Sequence, residues 1–227
     1  MPQRGLEEDK EMLIRYYRKA GILRSPEVER AFRRVPREEF VLSGYRDMAY
    51  VDRPLPIGYG QTISAPHMVV MMCEALELKP GHKVLEVGTG SGYHAAVIAE
   101  IVAPEGSEDQ GLVVSIERIP ELVEYARRNL ERTGYLGRVR VVCGDGSEGY
   151  PEEAPYDRIL VTAAAPRVPK PLVEQLKVGG ILVIPVGSLY LYQDLLKVRK
   201  LPSGEVSVEN LGGVAFVPLV GKYGWRL

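Results

Sequence analysis

Residues 84–100, VLEVGTGSGYHAAVIAE, run from an apolar segment through glycines at 88, 90 and 92 into a helix-forming segment. An apolar run that does not alternate with polar residues offers no face to water, so as a strand it must be covered on both sides. The chain repeats the device. HKVLEVG, LVVSIE, VRVVCGD, YDRILVTAA and ILVIPVG read as short buried strands, with YHAAVIAEIVA, PELVEYARRNLERTG and PKPLVEQLKVGG between them as helices. That alternation predicts an α/β fold: a mostly parallel central sheet with helices on both faces. Further on, LLKVRKLPSGEVSVENL reads as a hairpin around PSGE and GVAFVPLVG as another strand, so the sheet is expected to finish with antiparallel strands.

The first forty residues have a different pattern. EEDKEMLIRYYRKAG places Met12, Leu13, Tyr16, Tyr17 and Ala20 at helical spacing and closes on Gly21. SPEVERAFRRVP offers Ser25 as N-cap, Pro26 at the first helical position, and Val28, Phe32 and Val35 along one face. PREEFVLSGYRDMAYVDRPLPIGYGQTIS keeps neither period and is read as irregular. The layout expected is one domain over 1–227: a helical cap and loop over 1–78, a core over 79–192, and C-terminal strands and tail over 193–227.

Composition narrows the class. With 227 residues, 45% hydrophobic, 26% charged and a net charge of -1, the chain has material for a sizeable core and no concentrated basic face, which argues against nucleic acid as a partner. Cys73 and Cys143 stand in apolar contexts and read as buried thiols of a cytoplasmic protein. The acidic N-terminus MPQRGLEEDKEML does not resemble a signal peptide, and no apolar run reaches the ~18 residues of a membrane span. His67, His82 and His94 lack the spacing of a metal site, so no metal is expected.

Glycines permit the positive φ angles of a tight turn and let backbone N–H groups approach a ligand closely. In the dinucleotide pattern GxGxxG the third glycine would fall at 93, which is Tyr93, whereas GxGxG fits the turn of S-adenosylmethionine (AdoMet) methyltransferases. Glu117 ends the strand LVVSIE, where an acid accepts both ribose hydroxyl protons, and Asp145 ends VRVVCGD, where it accepts from an adenine amino group. Either acid alone would more simply be a helix cap. Together with the turn they make a shared nucleoside site at successive strand ends, comprising Glu86, Gly88, Thr89, Gly90, Gly92, Glu117, Asp145 and Gly146. For Glu86, fixing the loop backbone and meeting the methionyl amine are equally open.

Upstream, PLPIGYGQTISAPHM is rich in proline and glycine and carries Thr62 and Ser64. On spacing alone Ser64 reads as the N-cap of the helix PHMVVMMCEAL, and His67 as a packed helix residue. The pieces RAFRRVPREEFV, GQTISAPHM, VLEVGTGSGYHAAVIA, GDGSEGYPEEAPYDRILVTAAAP and VAFVPLVG, in that order, are similar to the protein L-isoaspartate (D-aspartate) O-methyltransferase family. The resemblance implies a Rossmann-like AdoMet-dependent methyltransferase fold. It also implies methyl transfer to the abnormal carboxylate left when Asn deamidates or Asp isomerises, initiating repair of damaged peptides and proteins. It makes Ser64 the active-site residue, with Thr62, Ile63, Ser64 and His67 at the substrate and the backbone around Val214 to Phe216, Ala215 included, pairing with the substrate peptide. A basic residue is common in the family where this chain has Ala215.

The reaction suits what the sequence lacks. A carboxylate, which ordinarily titrates near pH ~3.9, is already ionised at neutral pH, so no general base is required and missing His–Asp or Cys–His machinery is expected. A different acid substrate, a nucleotide-binding module without catalysis, and an NAD-linked oxidoreductase are the competing readings, the last disfavoured by Tyr93. A monomer is expected.

Overall fold

The computed structural model describes residues 5–189 and 192–226; the first four residues of the acidic N-terminus and Leu227 lie outside them. Helix α1 (Leu6–Lys19) carries Glu7, Glu8 and Asp9 in its first turn and Arg18 and Lys19 in its last, charges that complement the helix dipole. Its buried stripe is Lys10, Ile14 and Tyr17, whereas Met12, Tyr16 and Ala20, expected inside, face solvent. Lys10 tolerates the inner position because its ammonium reaches the Arg33 carbonyl at 3.1 Å and Glu7 at 2.8 Å. Gly21, at φ 70°, ends the helix as expected. In α2 (Pro26–Arg34) Val28 and Phe32 are buried, but Ser25 caps nothing: its hydroxyl donates to Glu74 Oε1 at 2.8 Å.

The segment expected to be irregular holds two short 3-10 helices, 37–39 and 43–48, and a hairpin of β1 (Leu55–Gly58) and β2 (Gln61–Ile63). Tyr59 and Gly60 connect the strands with φ of 53° and 69°, the two left-handed positions of a type I′ turn. Leu55, Ile57 and Ile63 turn inward and fix the hairpin to the core. Then come α3 (Pro66–Leu76), β3 (Lys83–Val87), α4 (Tyr93–Val102), β4 (Leu112–Glu117), α5 (Pro120–Arg132), β5 (Val139–Cys143), β6 (Tyr156–Val161), α6 (Lys170–Glu174), β7 (Leu176–Gly187), β8 (Gln193–Lys200) and β9 (Val206–Val214).

Strands β3 to β9 form one sheet in the order β5-β4-β3-β6-β7-β8-β9, parallel from β5 through β7 and antiparallel at β8 and β9. Both faces are covered. Val84 packs into a core shared with α1 to α5, while Leu85 and Val87 of the same strand pack with Leu172 of α6 on the other side. The helix expected over PKPLVEQLKVGG stops at Glu174, because Leu176 pairs with Tyr156 and residues 177–180 bulge before Ile181 resumes pairing with Arg158. Of GVAFVPLVG only Gly213 and Val214 lie in a strand; Pro218 and Val220 make single bridges to Ala164 and Trp225. Cys73 is buried, but Cys143, last residue of an outermost strand, is exposed.

Candidate active site

From β3 the chain winds outward to β4 and β5, then returns to place β6 on the other side of β3. The reversal opens a crevice beyond the C-terminal ends of β3 and β6, where ligands of open α/β sheets bind. The glycine turn lies there. Gly88, Gly90 and Gly92 have φ of 97°, 54° and 86°, and a Cβ on Gly88 would stand 2.4 Å from Thr162 Oγ1. A Cβ on Gly90 would meet Ile57 Cδ1 of the hairpin at 3.3 Å, and one on Gly92 would meet Leu130 of α5 at 3.1 Å. The first glycine thus lets the turn lie against Thr162, the second lets the hairpin pack on it, and the third seats α4 against α5.

Glu117, at 6% exposure, closes the turn from the next strand: Oε2 accepts the Gly90 N–H and Oε1 the Ile119 N–H, both at 3.0 Å. Each oxygen keeps a lone pair for a ligand hydroxyl. Glu86 lies beneath, fully buried. It accepts from the Ser115 hydroxyl, which is 2.6 Å from Thr89 Oγ1, while Oε1 has no hydrogen-bond partner. Burial pushes its carboxyl up to about 8, the Ser115 bond offsetting part of the effect. Glu86 therefore reaches the glycine loop through side chains, and its open oxygen leaves the amine-binding alternative standing. Asp145 caps a 3-10 turn: Oδ1 accepts the Ser147 N–H and hydroxyl at 2.9 and 2.7 Å, and Oδ2 accepts the Lys222 N–H at 2.7 Å.

Of the cofactor residues expected from sequence, Gly88, Gly90, Glu117 and Gly146 line the cleft, whereas Glu86, Thr89, Gly92 and Asp145 do not. Beside it runs a groove of about 760 Å³, lined by Thr62, Ser64, His67, Val214 and Ala215. Ile63, at 5% exposure, points into the core instead, since alternation along β2 turns it away from Thr62. Thr62 and Thr162 line both cavities. The groove's described lining contains no lysine, arginine, aspartate or glutamate.

The Ser64 hydroxyl has no hydrogen bond among the described residues, and the N-cap position of α3 is Ala65. The cap comes from upstream: Asp52 Oδ1 accepts both the His67 N–H, at 3.0 Å, and the ring at Nδ1, at 2.7 Å. Partial burial would raise the Asp52 carboxyl, but the bonds from the His67 ring and backbone hold it below the usual range. The Ser64 carbonyl is fixed from behind by the buried Arg37, which donates to it and to Ala49 O at 2.7 Å each, and whose guanidinium lies 5.0 Å from the centre of the Tyr93 ring. The Gln193 side chain takes both backbone groups of Phe216, accepting the N–H at 2.7 Å and donating to the carbonyl at 3.1 Å, so Phe216, expected to pair with a substrate peptide, has its backbone already occupied.

Sequence reasoning missed Arg37, Asp52 and Thr162. Thr162 had a readable signal, a hydroxyl residue directly after an apolar strand in RILVTAAAP; its hydroxyl donates to Gly88 O at 2.8 Å. Arg37, among the acids of VPREEF, reads as a surface residue.

A crevice at the sheet reversal, a GxGxG turn with an acid closing it, and a second groove alongside define an AdoMet-dependent methyltransferase. The chain belongs to the protein-L-isoaspartate(D-aspartate) O-methyltransferase family, whose model matches residues 8–224. It is 57% identical over 220 residues to the protein-L-isoaspartate O-methyltransferase of Staphylothermus marinus, covering 97% of each chain. A solved protein-L-isoaspartate O-methyltransferase, 34% identical, superposes with a TM-score of 0.83 over 95% of this chain and 67% of that one. A Plasmodium falciparum structure of that description, in complex with S-adenosyl-L-homocysteine, gives 0.79 at 28% identity over 93% of this chain and 98% of that one. Among the described residues no group of His, Cys, Asp or Glu is placed to hold a metal ion, and no helix is long and apolar enough to cross a membrane.

Proposed function

We propose that this protein transfers the methyl group of AdoMet to the free carboxylate of L-isoaspartyl residues in peptides and proteins, with D-aspartyl residues as further substrates, so that the ester can collapse to a succinimide and begin repair. The observation that carries the site assignment is the common wall: Thr62 and Thr162 face both the cleft and the groove. Gly88, Gly90 and Glu117 hold the nucleoside, Gly146 borders it, and the open oxygen of Glu86 is the candidate for the methionyl amine. The positive-φ glycine turn whose Gly88 and Gly90 line the cleft, together with that unpartnered buried oxygen, fits such a ligand. When bound, AdoMet supplies a methyl group made electrophilic by its sulfonium.

The chain's own contribution is placement and exclusion of water. The Ser64 hydroxyl, unused within the fold, and the exposed Thr62 hydroxyl orient the substrate carboxylate as neutral donors. The absence of a cation from the described groove lining leaves the nucleophile's charge available for attack. His67 and the backbone of Val214 and Ala215 hold the peptide, main chain reading main chain, which allows many flanking sequences. We further infer that residues 1–227 act as one domain, as a monomer in the cytoplasm.

Incubation with methyl-labelled AdoMet and two otherwise identical peptides, one with L-isoaspartate and one with L-aspartate, tests the reading. A base-labile ester on the first alone is expected. AdoMet binding without transfer to either would reduce the protein to a binding module.

A further inference from the structure

Resting on the groove as the isoaspartyl site, we propose that Asp52 is a positioning residue for substrate, acting through His67. Asp52 does not line the groove; His67 does. The single oxygen Oδ1 accepts both the backbone N–H and the ring Nδ1–H of His67, so one carboxylate fixes the residue's position at the start of α3 and the rotation of its imidazole. With Nδ1 occupied, the tautomer of the neutral ring is set and Nε2 is left as an acceptor. His67 lines the groove while its Nδ1 is engaged by Asp52, so in this proposal Nε2 is the ring atom that accepts a main-chain N–H of the bound peptide.

The arrangement is unlike a helix cap alone. A residue that only satisfied the His67 backbone N–H would have no need of the ring. It also differs from the other histidines: His94 is buried against Cys73 with Nε2 3.4 Å from Sγ, and His82 accepts from the Lys79 N–H at 3.1 Å. The groups around the pair come from three elements. The buried hydroxyl of Tyr17 and the guanidinium of Arg37 act on Asp52 from α1 and the 3-10 turn at 37–39, and His67 faces it from α3.

A double-mutant cycle decides the matter, because H67A removes the ring but keeps the backbone N–H that Asp52 also accepts. D52A is expected to raise KM for an isoaspartyl peptide about tenfold, the loss of one well-placed hydrogen bond, with the Kd for AdoMet within about twofold of the parent. D52N, whose amide oxygen can still accept both bonds, is expected to recover most of the affinity. In the H67A background D52A is expected to change KM no further. An unchanged KM in D52A, or a tenfold effect that persists in H67A, would overturn the proposal, the second outcome assigning Asp52 to helix capping. If D52A does not fold, D52S, one bond too short to hold ring and backbone together, takes its place in the cycle. Failure of the parent protein to methylate the isoaspartyl peptide would instead sink the site reading itself.

Discussion

Ser64 shows how a bland and a sharp reading of one residue separate once the backbone is known. As an N-cap its hydroxyl would be consumed by α3, but Ala65 holds that position and Asp52 supplies the missing acceptor. Ser64→Ala should therefore lower kcat by about a hundredfold, the scale of losing one donor at a reacting group, while AdoMet affinity and melting temperature stay near the parent. Single-turnover rates and a binding isotherm on the same preparation check this; normal turnover with a lowered melting temperature would return Ser64 to a structural role. Arg37 makes the opposite case. Its two carbonyl bonds and its stack on Tyr93 need a planar fork, which a lysine cannot reproduce. Arg37→Lys should cost about 1–3 kcal/mol of stability by leaving buried groups unpaired, and should also slow turnover, because the Ser64 carbonyl loses its anchor. Denaturant midpoints and kcat report the two effects separately. Neither Arg37 nor Asp52 was readable in the sequence, since a charged residue in a segment without helical or strand period looks the same whether it is solvated or folded inward.

The order and type of the core strands were legible because burial on both faces of a parallel sheet leaves an unbroken apolar run: LVVSIE is β4 in full, though YDRILVTAA was read three residues beyond the end of β6 at Val161. Reading failed where pairing overrode local pattern. LKVGG continued a helical spacing, yet the partner strand drew Leu176 into β7. The hairpin β1–β2 was missed because its strands are four and three residues long and its turn uses Tyr59 in place of the usual asparagine or glycine. That tyrosine is 59% exposed and left-handed, so Tyr59→Asn should stabilise the protein by about 0.5–1 kcal/mol. A higher denaturant midpoint with unchanged kcat is the expected result; a lower one would mean that the exposed ring has a contact of its own to lose.

The folded protein should respond to pH from both sides. Burial raises Glu86 from 4.5 to about 8, so the folded state holds that proton more tightly than the unfolded one. Its contribution is fully present below pH 4.5 and is lost as pH rises toward 8. His94 runs the other way: burial lowers it from 6.5 to about 3, so its contribution is present above pH 6.5 and is lost as pH falls toward 3. Above pH 6.5 only the Glu86 loss of this pair remains. Glu86→Gln, which copies the protonated shape, should give denaturation midpoints at about pH 6.5 and about pH 8 that differ less than those of the parent, measured without AdoMet. Equal slopes would show that the carboxyl is ionised when folded. The clamp on Asp145 carries one more consequence. Asp145 precedes Gly146, and an aspartate before glycine is the pair most prone to turn its carboxyl onto the following amide and rearrange, a slow chemical ageing of the chain. With its oxygens held by Ser147 and by the backbone of Lys222, that carboxyl must give up hydrogen bonds before it can turn onto the Gly146 amide. The C-terminal segment thus shelters, inside a protein that treats this form of decay in others, the place where its own chain would first succumb to it.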